Sequence, residues 1–315
     1  MKEIYYFDNA AVLFRYKDFA LKAILGLAAI MLMSFSFPAY AADSYFDSNG
    51  VKIRYVTEGT GEAVVLIHGW MGDSSMWGRD ELGETKLNKS GVKGFQFIAL
   101  DGRGHGKSGK PHDVAKYGTE MAKDILRLLD HLKIKKAHFV GYSSGAYIAG
   151  NIVANNPKRV LSVVYAGQAP VLEGWKESDF SEVDAFSRAV EENDLVSYLI
   201  SLSPPNSPKP TREQVEPVAK YLYEGKDVKA LAAAGSSFKK LSVSGKKLKK
   251  YKGPILFIYG AKESDHVKAR VTTVYKFLGR GEVKIIEGAD HTTTLLKPEF
   301  GAALVNFWNN SMQKV

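Results

Sequence analysis

Short apolar runs alternate with helical periodicity along most of this chain, the rhythm of a mostly parallel sheet whose strands are joined by helices. Strands are predicted at Ala63 to Ile67, Phe95 to Leu100, Ala137 to Gly141, Val160 to Tyr165, Ile255 to Tyr259 and Val283 to Ile286. Their near-continuous apolar character implies that both faces of each strand are covered. Upstream, residues 45–56 form two alternating runs broken by Asn49-Gly50, a strong hairpin signal, so an antiparallel pair opens the domain. Thr119 is placed to cap a helix with Ile125, Leu128, Leu129 and Leu132 along one stripe, and a last helix after Pro298 carries Leu304, Val305, Phe307 and Trp308 at core spacing. One stretch breaks the rhythm. Residues 169–250 hold amphipathic helical pieces, interrupted by the proline-rich Ser203 to Pro210, and no convincing parallel strand. At about eighty residues this is too long for a plain crossover, and it predicts a helical cap inserted over the sheet.

The N-terminal residues follow a different pattern. After Arg15, Lys17 and Lys22, residues 23–37 are almost entirely apolar, and Ala39-Tyr40-Ala41 then supplies an A-x-A cleavage signature. Residues 1–41 therefore read as a secretory signal peptide, cut after Ala41 or Ala42, on a protein that is periplasmic or secreted. Fifteen apolar residues fall short of the ~20 that span a bilayer, which favours cleavage over a retained anchor. The expected organisation is thus core from 42 to 168, cap from 169 to 250, and core again from 251 to 315.

The chain has 315 residues, 45% of them hydrophobic and none of them cysteine, so disulfides and thiolate metal sites are excluded and stability must come from a core of ample size. Net charge is +9, with lysines bunched at 133–136, 239–240 and 246–252. Such runs attract anionic partners, but no nucleic-acid motif accompanies them and they read as a solvated face.

Candidate chemistry centres on Gly141-Tyr142-Ser143-Ser144-Gly145, which lies between a predicted strand and the apolar helix that starts at Ala146. G-x-S-x-G in that context is a nucleophile elbow: glycines let strand and helix approach closely around a serine held in a strained turn, which makes Ser143 the candidate nucleophile. A serine hydroxyl needs a base, and the base needs a carboxylate to hold its tautomer. The strand ending at Tyr259 is followed by Glu263 and Asp265, and the strand ending at Ile286 by Asp290-His291. Both groups follow strand C-termini, the edge where open α/β sheets bind ligands.

With His68-Gly69-Trp70 after the first parallel strand and Asp101 to Ser108 after the second, the sequence resembles the α/β-hydrolase superfamily across essentially the whole mature chain. The resemblance implies an α/β-hydrolase fold, a mostly parallel central sheet flanked by helices with an inserted helical cap. It also implies Ser143 as nucleophile, His291 as general base and acid, and an oxyanion hole from the backbone N–H groups of Trp70 and Ser144. For the acid it points to Glu263, where the family more often has aspartate, and Asp265 stays open as the alternative. Asp290 adjoins His291 and is poorly placed to face it.

The implied activity is that of an exported esterase-like enzyme acting on a small ester-type substrate without a cofactor or metal. The His68-Gly69-Trp70 opening with Trp77 is also similar to cofactor-free perhydrolase and arylesterase relatives, and a non-catalytic ligand-binding protein on the same fold is the reading from another class. Trp175 and Phe180 either line the pocket or form cap core. Two near-motifs are rejected. Gly106-Lys107-Ser108 lacks the first glycine of a P-loop, since Asp101 stands there. Gly104 to Gly109 fits G-x-G-x-x-G but leads into Lys110-Pro111 rather than a helix. His68 and His105 match positions that hold loops near the site, and no metal-ligand spacing involves the remaining histidines.

Overall fold

Asn49 and Gly50 both adopt positive φ, 57° and 81°, the geometry that a two-residue turn needs to match the twist of its strands. Around them Ser48 and Val51 exchange backbone hydrogen bonds of 2.9 and 3.4 Å, and β1 (Ser44–Asp47) folds back on β2 (Lys52–Gly59) as expected. This computed structural model describes residues 43–78, 94–176, 180–203 and 208–312; the predicted signal segment lies outside the described residues.

The apolar runs become β3 (Glu62–Ile67), β4 (Phe95–Leu100), β5 (Ala137–Tyr142), β6 (Val160–Ala166), β7 (Ile255–Gly260) and β8 (Glu282–Ile286). With the hairpin they make one eight-stranded sheet in the order β1-β2-β4-β3-β5-β6-β7-β8, parallel from β4 onward. β3 illustrates why its run is unbroken. Ala63, Val65 and Ile67 join the core on one face while Val64 and Leu66 join the core on the other.

One face is covered by α1 (Thr119–His131), α2 (Ser144–Asn155) and α8 (Asp265–Leu278), the other by α9 (Pro298–Met312), whose Phe300, Leu304, Phe307 and Trp308 are buried. Two expectations need correction. β8 is not covered on both faces: it is the edge strand, with Val283 and Ile285 about 40% exposed. The residue capping α1 is Gly118, at φ 65°, with Thr119 already helical; the Gly118 N–H is satisfied by Ser237 Oγ at 2.9 Å instead of by a local side chain.

Between β6 and β7 the chain forms α3 (Ser181–Glu191), α4 (Leu195–Ser201), α5 (Arg212–Tyr223), α6 (Val228–Ser236) and α7 (Gly245–Lys250). This excursion is closed at its base by a bridge between Leu172 and Val243. Phe186, Ala189, Tyr198 and Leu231 give it a small core of its own, against which Trp70 from the strand-end loops also packs. Among the described residues no helix is long and apolar enough to cross a membrane.

Candidate active site

Ser143 stands between β5 and α2 at φ 52°, ψ −121°, a conformation unusual for a residue with a β-carbon. The flanking glycines make it possible. A β-carbon at Gly141 would lie 2.3 Å from the Gly145 carbonyl oxygen, and one at Gly145 would lie 2.3 Å from that of Ile67. The Ser143 N–H is held by the Ala166 carbonyl at 2.8 Å, so the turn is braced and the hydroxyl is pushed off the sheet edge.

Two more loops meet it there. Ala261 and Lys262 N–H donate to the Ile286 and Ala289 carbonyls at 2.9 and 2.8 Å, tying the loop after β7 to the loop after β8. A tight turn from Gly260 to Glu263, bonded at 3.0 Å, then directs the Glu263 side chain inward, where 3% of it remains exposed. His291 Nδ1 lies 3.0 Å from both Glu263 oxygens, and its Nε2 lies 3.0 Å from Ser143 Oγ. Asp265 is not part of this arrangement. It opens α8 with its side chain in solvent, and Lys268 approaches it at 3.9 Å. Asp290 serves its own loop, its carboxylate accepting from the N–H and hydroxyl groups of Thr292 and Thr293 at 2.7–2.9 Å.

Surrounding protein desolvates the His291 ring and disfavours its charge, although 40% of the side chain is open to solvent; the bond to Glu263 and that carboxylate's charge outweigh this, so its pKa is raised. Tyr142 went unnoticed in the sequence. Its hydroxyl donates to the His291 carbonyl and its ring lies 5.6 Å from the imidazole, so the residue before Ser143 also fixes the histidine loop. No sequence pattern marks this contact, because its two partners lie 149 residues apart.

Trp70 and Ser144 also lie beside Ser143. A β-carbon at Gly69 would stand 3.1 Å from Ser143 Cβ, so the adjoining Gly69-Trp70 peptide runs beside the elbow, and Ser144 is the first residue of α2. His68 steadies that loop, its Nδ1 on the Gly69 carbonyl at 2.7 Å and its Nε2 accepting from Gly102 N–H at 2.8 Å. The Trp70 indole donates to the Leu231 carbonyl at 2.9 Å and meets Phe186 and Phe238 edge-on, which locks the loop to the helical excursion. Trp175 and Phe180 flank the Arg270 guanidinium at 4.5 and 5.5 Å. Among the described residues no group of three or more His, Asp or Glu is placed to hold a metal ion, and the Asp101 to Pro111 stretch runs as turns, with no α-helix before Thr119.

Comparison with known proteins agrees with this architecture. Residues 62–298 match the model of the alpha/beta hydrolase fold family. The chain is 28% identical to an acetyltransferase component of the acetoin cleaving system of Cupriavidus necator, over 84% of this chain and 70% of that protein. It is 33% identical to an epoxide hydrolase of Caballeronia sordidicola over 42% of this chain, and spans 40% of that relative's length. A solved carboxylesterase structure from Nitrososphaera gargenis superposes with a TM-score of 0.69 at 20% identity, over 88% of this chain and all of that one. The chain belongs to the alpha/beta hydrolase fold family and is an enzyme of the hydrolase class.

Proposed function

We propose that this chain is an exported serine hydrolase that cleaves an ester or related acyl bond through an acyl-enzyme on Ser143. The observation that carries the reading is the linear array in which one imidazole reaches a serine hydroxyl with Nε2 and a buried carboxylate with Nδ1, each at 3.0 Å. Glu263 holds the proton on Nδ1, which leaves the Nε2 lone pair to take the Ser143 proton as Oγ attacks the carbonyl carbon. The oxygen that becomes negative in the tetrahedral intermediate is met by the N–H groups of Trp70 and Ser144, donors worth roughly 3–4 kcal/mol each in such sites. His291 then gives its proton to the leaving alcohol, and water repeats the sequence to release the acid.

The relatives' names span different reactions on one fold, so the nucleophile decides between them. Cleavage of an epoxide through an alkyl-enzyme ester requires a carboxylate nucleophile, and a serine stands at that position here. Export rests on the apolar N-terminal run and its A-x-A sequence. A fluorophosphonate probe tests the assignment: wild type becomes covalently labelled with loss of esterase activity, and Ser143→Ala is neither labelled nor active. Failure of folded wild-type protein to label would overturn it.

A further inference from the structure

The loops leading into β5, β6, β7 and β8 lie side by side along the sheet edge opposite Ser143, because these four strands are adjacent and parallel. Lys133, Lys135 and Lys136 precede β5, and Lys158 with Arg159 precedes β6. Lys249, Lys250 and Lys252 precede β7, and Lys276 with Arg280 precedes β8. The lysines are all exposed, whereas the two arginines are half-buried and act as staples. Arg159 donates to the Lys135 and Ile134 carbonyls at 2.8 and 3.0 Å and pairs with Asp130 at 2.8 Å. Arg280 donates to the carbonyls of Tyr251, Lys252 and Gly253 at 2.5–3.3 Å. Charge runs that look like scattered solvated lysines in the sequence thus become one braced cationic platform.

An apolar side chain is set among these charges. Phe277, 38% exposed at the C-terminal end of α8, has the Lys249 ammonium 4.2 Å from its ring centroid. At the opposite edge the loops after the strands carry Asp73, Asp101, Glu263, Asp265, Glu287 and Asp290 but also Arg103, Lys107, Lys110 and Lys262, and so have little net charge. The cationic excess at one end orients the molecule in an external field. We infer that the platform docks peripherally on an anionic bilayer. The lysines meet lipid phosphates, Phe277 enters the headgroup boundary, and the Ser143 edge faces solution. A nucleic-acid backbone would use the cations and leave Phe277 without a partner, so the bilayer is the better match.

Flotation of the full chain with vesicles tests this, comparing pure phosphatidylcholine with vesicles in which about 30% is replaced by phosphatidylglycerol. Recovery with anionic vesicles should exceed that with neutral ones by at least about tenfold at low salt, and the excess should vanish near 0.5 M salt. The triple variant Lys249→Glu, Lys250→Glu, Lys252→Glu should lose the preference. The variant Lys209→Glu, Lys220→Glu, Lys229→Glu, which makes the same change in net charge on exposed positions of the excursion, should keep it. Phe277→Ser should weaken anionic-vesicle binding a few-fold while leaving its salt dependence intact. The N-terminal apolar segment is common to every sample and cancels in these comparisons. Equal recovery with the two vesicle types, equal loss in the two triple variants, or displacement of the vesicles by a short DNA duplex at matched phosphate concentration would each overturn the proposal.

Discussion

His291 uses both ring nitrogens, and what each does depends on the other. In the proposed reaction an ionised carboxylate at Nδ1 accepts a hydrogen bond and offers none, so Glu263 fixes the tautomer that leaves Nε2 free to act as a base toward Ser143 Oγ. An amide in the same place can donate to Nδ1 and drive the proton to Nε2, the wrong nitrogen. Glu263→Gln should therefore lower kcat/KM on a chromogenic ester by about 10³–10⁴-fold without unfolding the protein. The pH profile supplies an independent check. In the wild type the Glu263 bond and charge outweigh desolvation and raise the His291 pKa, so the acidic limb of kcat/KM should lie above the ordinary imidazole value of 6.5. Without that bond and charge the His291 pKa falls, and the limb of Glu263→Gln should move to lower pH; a limb that stays in place would show that Glu263 does not face the working imidazole.

Between elements, the turns after β4 are fixed by two buried charges. Asp101 accepts from the Ser74 and Lys107 N–H groups at 2.9 and 2.8 Å, and Arg103 makes a two-pronged bond of 2.5–2.6 Å to Asp124 on α1, both side chains being nearly inaccessible. Removing one partner of such a pair strands the other charge in a medium that cannot solvate it. Asp124→Ala should cost about 3–5 kcal/mol in urea unfolding, and Arg103→Met with Asp124→Leu should cost clearly less. Little of this could be read from the sequence, because a pair separated by a loop depends on the loop's path. The strands were legible because their burial is written as unbroken apolar runs. The elbow was legible because close strand–helix approach forbids any residue but glycine at 141 and 145. Spacing left Glu263 and Asp265 unresolved. A turn bonded from Glu263 N–H to the Gly260 carbonyl sends the first inward, while the second sits in the opening turn of α8, where a carboxylate favours the helix dipole. The α1 cap was misplaced for a similar reason: the partner of the Gly118 N–H comes from Ser237, more than a hundred residues away in the excursion.

For the molecule as a whole, burying polar groups beneath the Ser143 edge couples folding to pH. His105 is 6% exposed, bonded through Nδ1 to the Arg103 carbonyl at 2.9 Å, and 5.0 Å from the His68 ring. Desolvation, reinforced by His68, lowers its pKa to about 3. The unfolded chain therefore binds more protons than the native state as pH falls below 6.5, and native stability declines from there until the folded pKa is reached. At pH 5 the loss should be about 2 kcal/mol. Two other groups act elsewhere or with opposite sign. The depressed Asp101 pKa confers stability that is lost only as pH falls below the ordinary carboxylate value of 3.8, and the raised His291 pKa favours the native state below 6.5 and fades as pH climbs through its folded value. Both groups are unchanged in His105→Gln, so comparing the two proteins isolates the buried ring. Urea unfolding at pH 7 and pH 5 should show the wild type losing about 2 kcal/mol more than His105→Gln over that interval. Parallel losses would mean that the ring takes up its proton in the folded state, and hence that the layer under the Ser143 edge opens to water in acid.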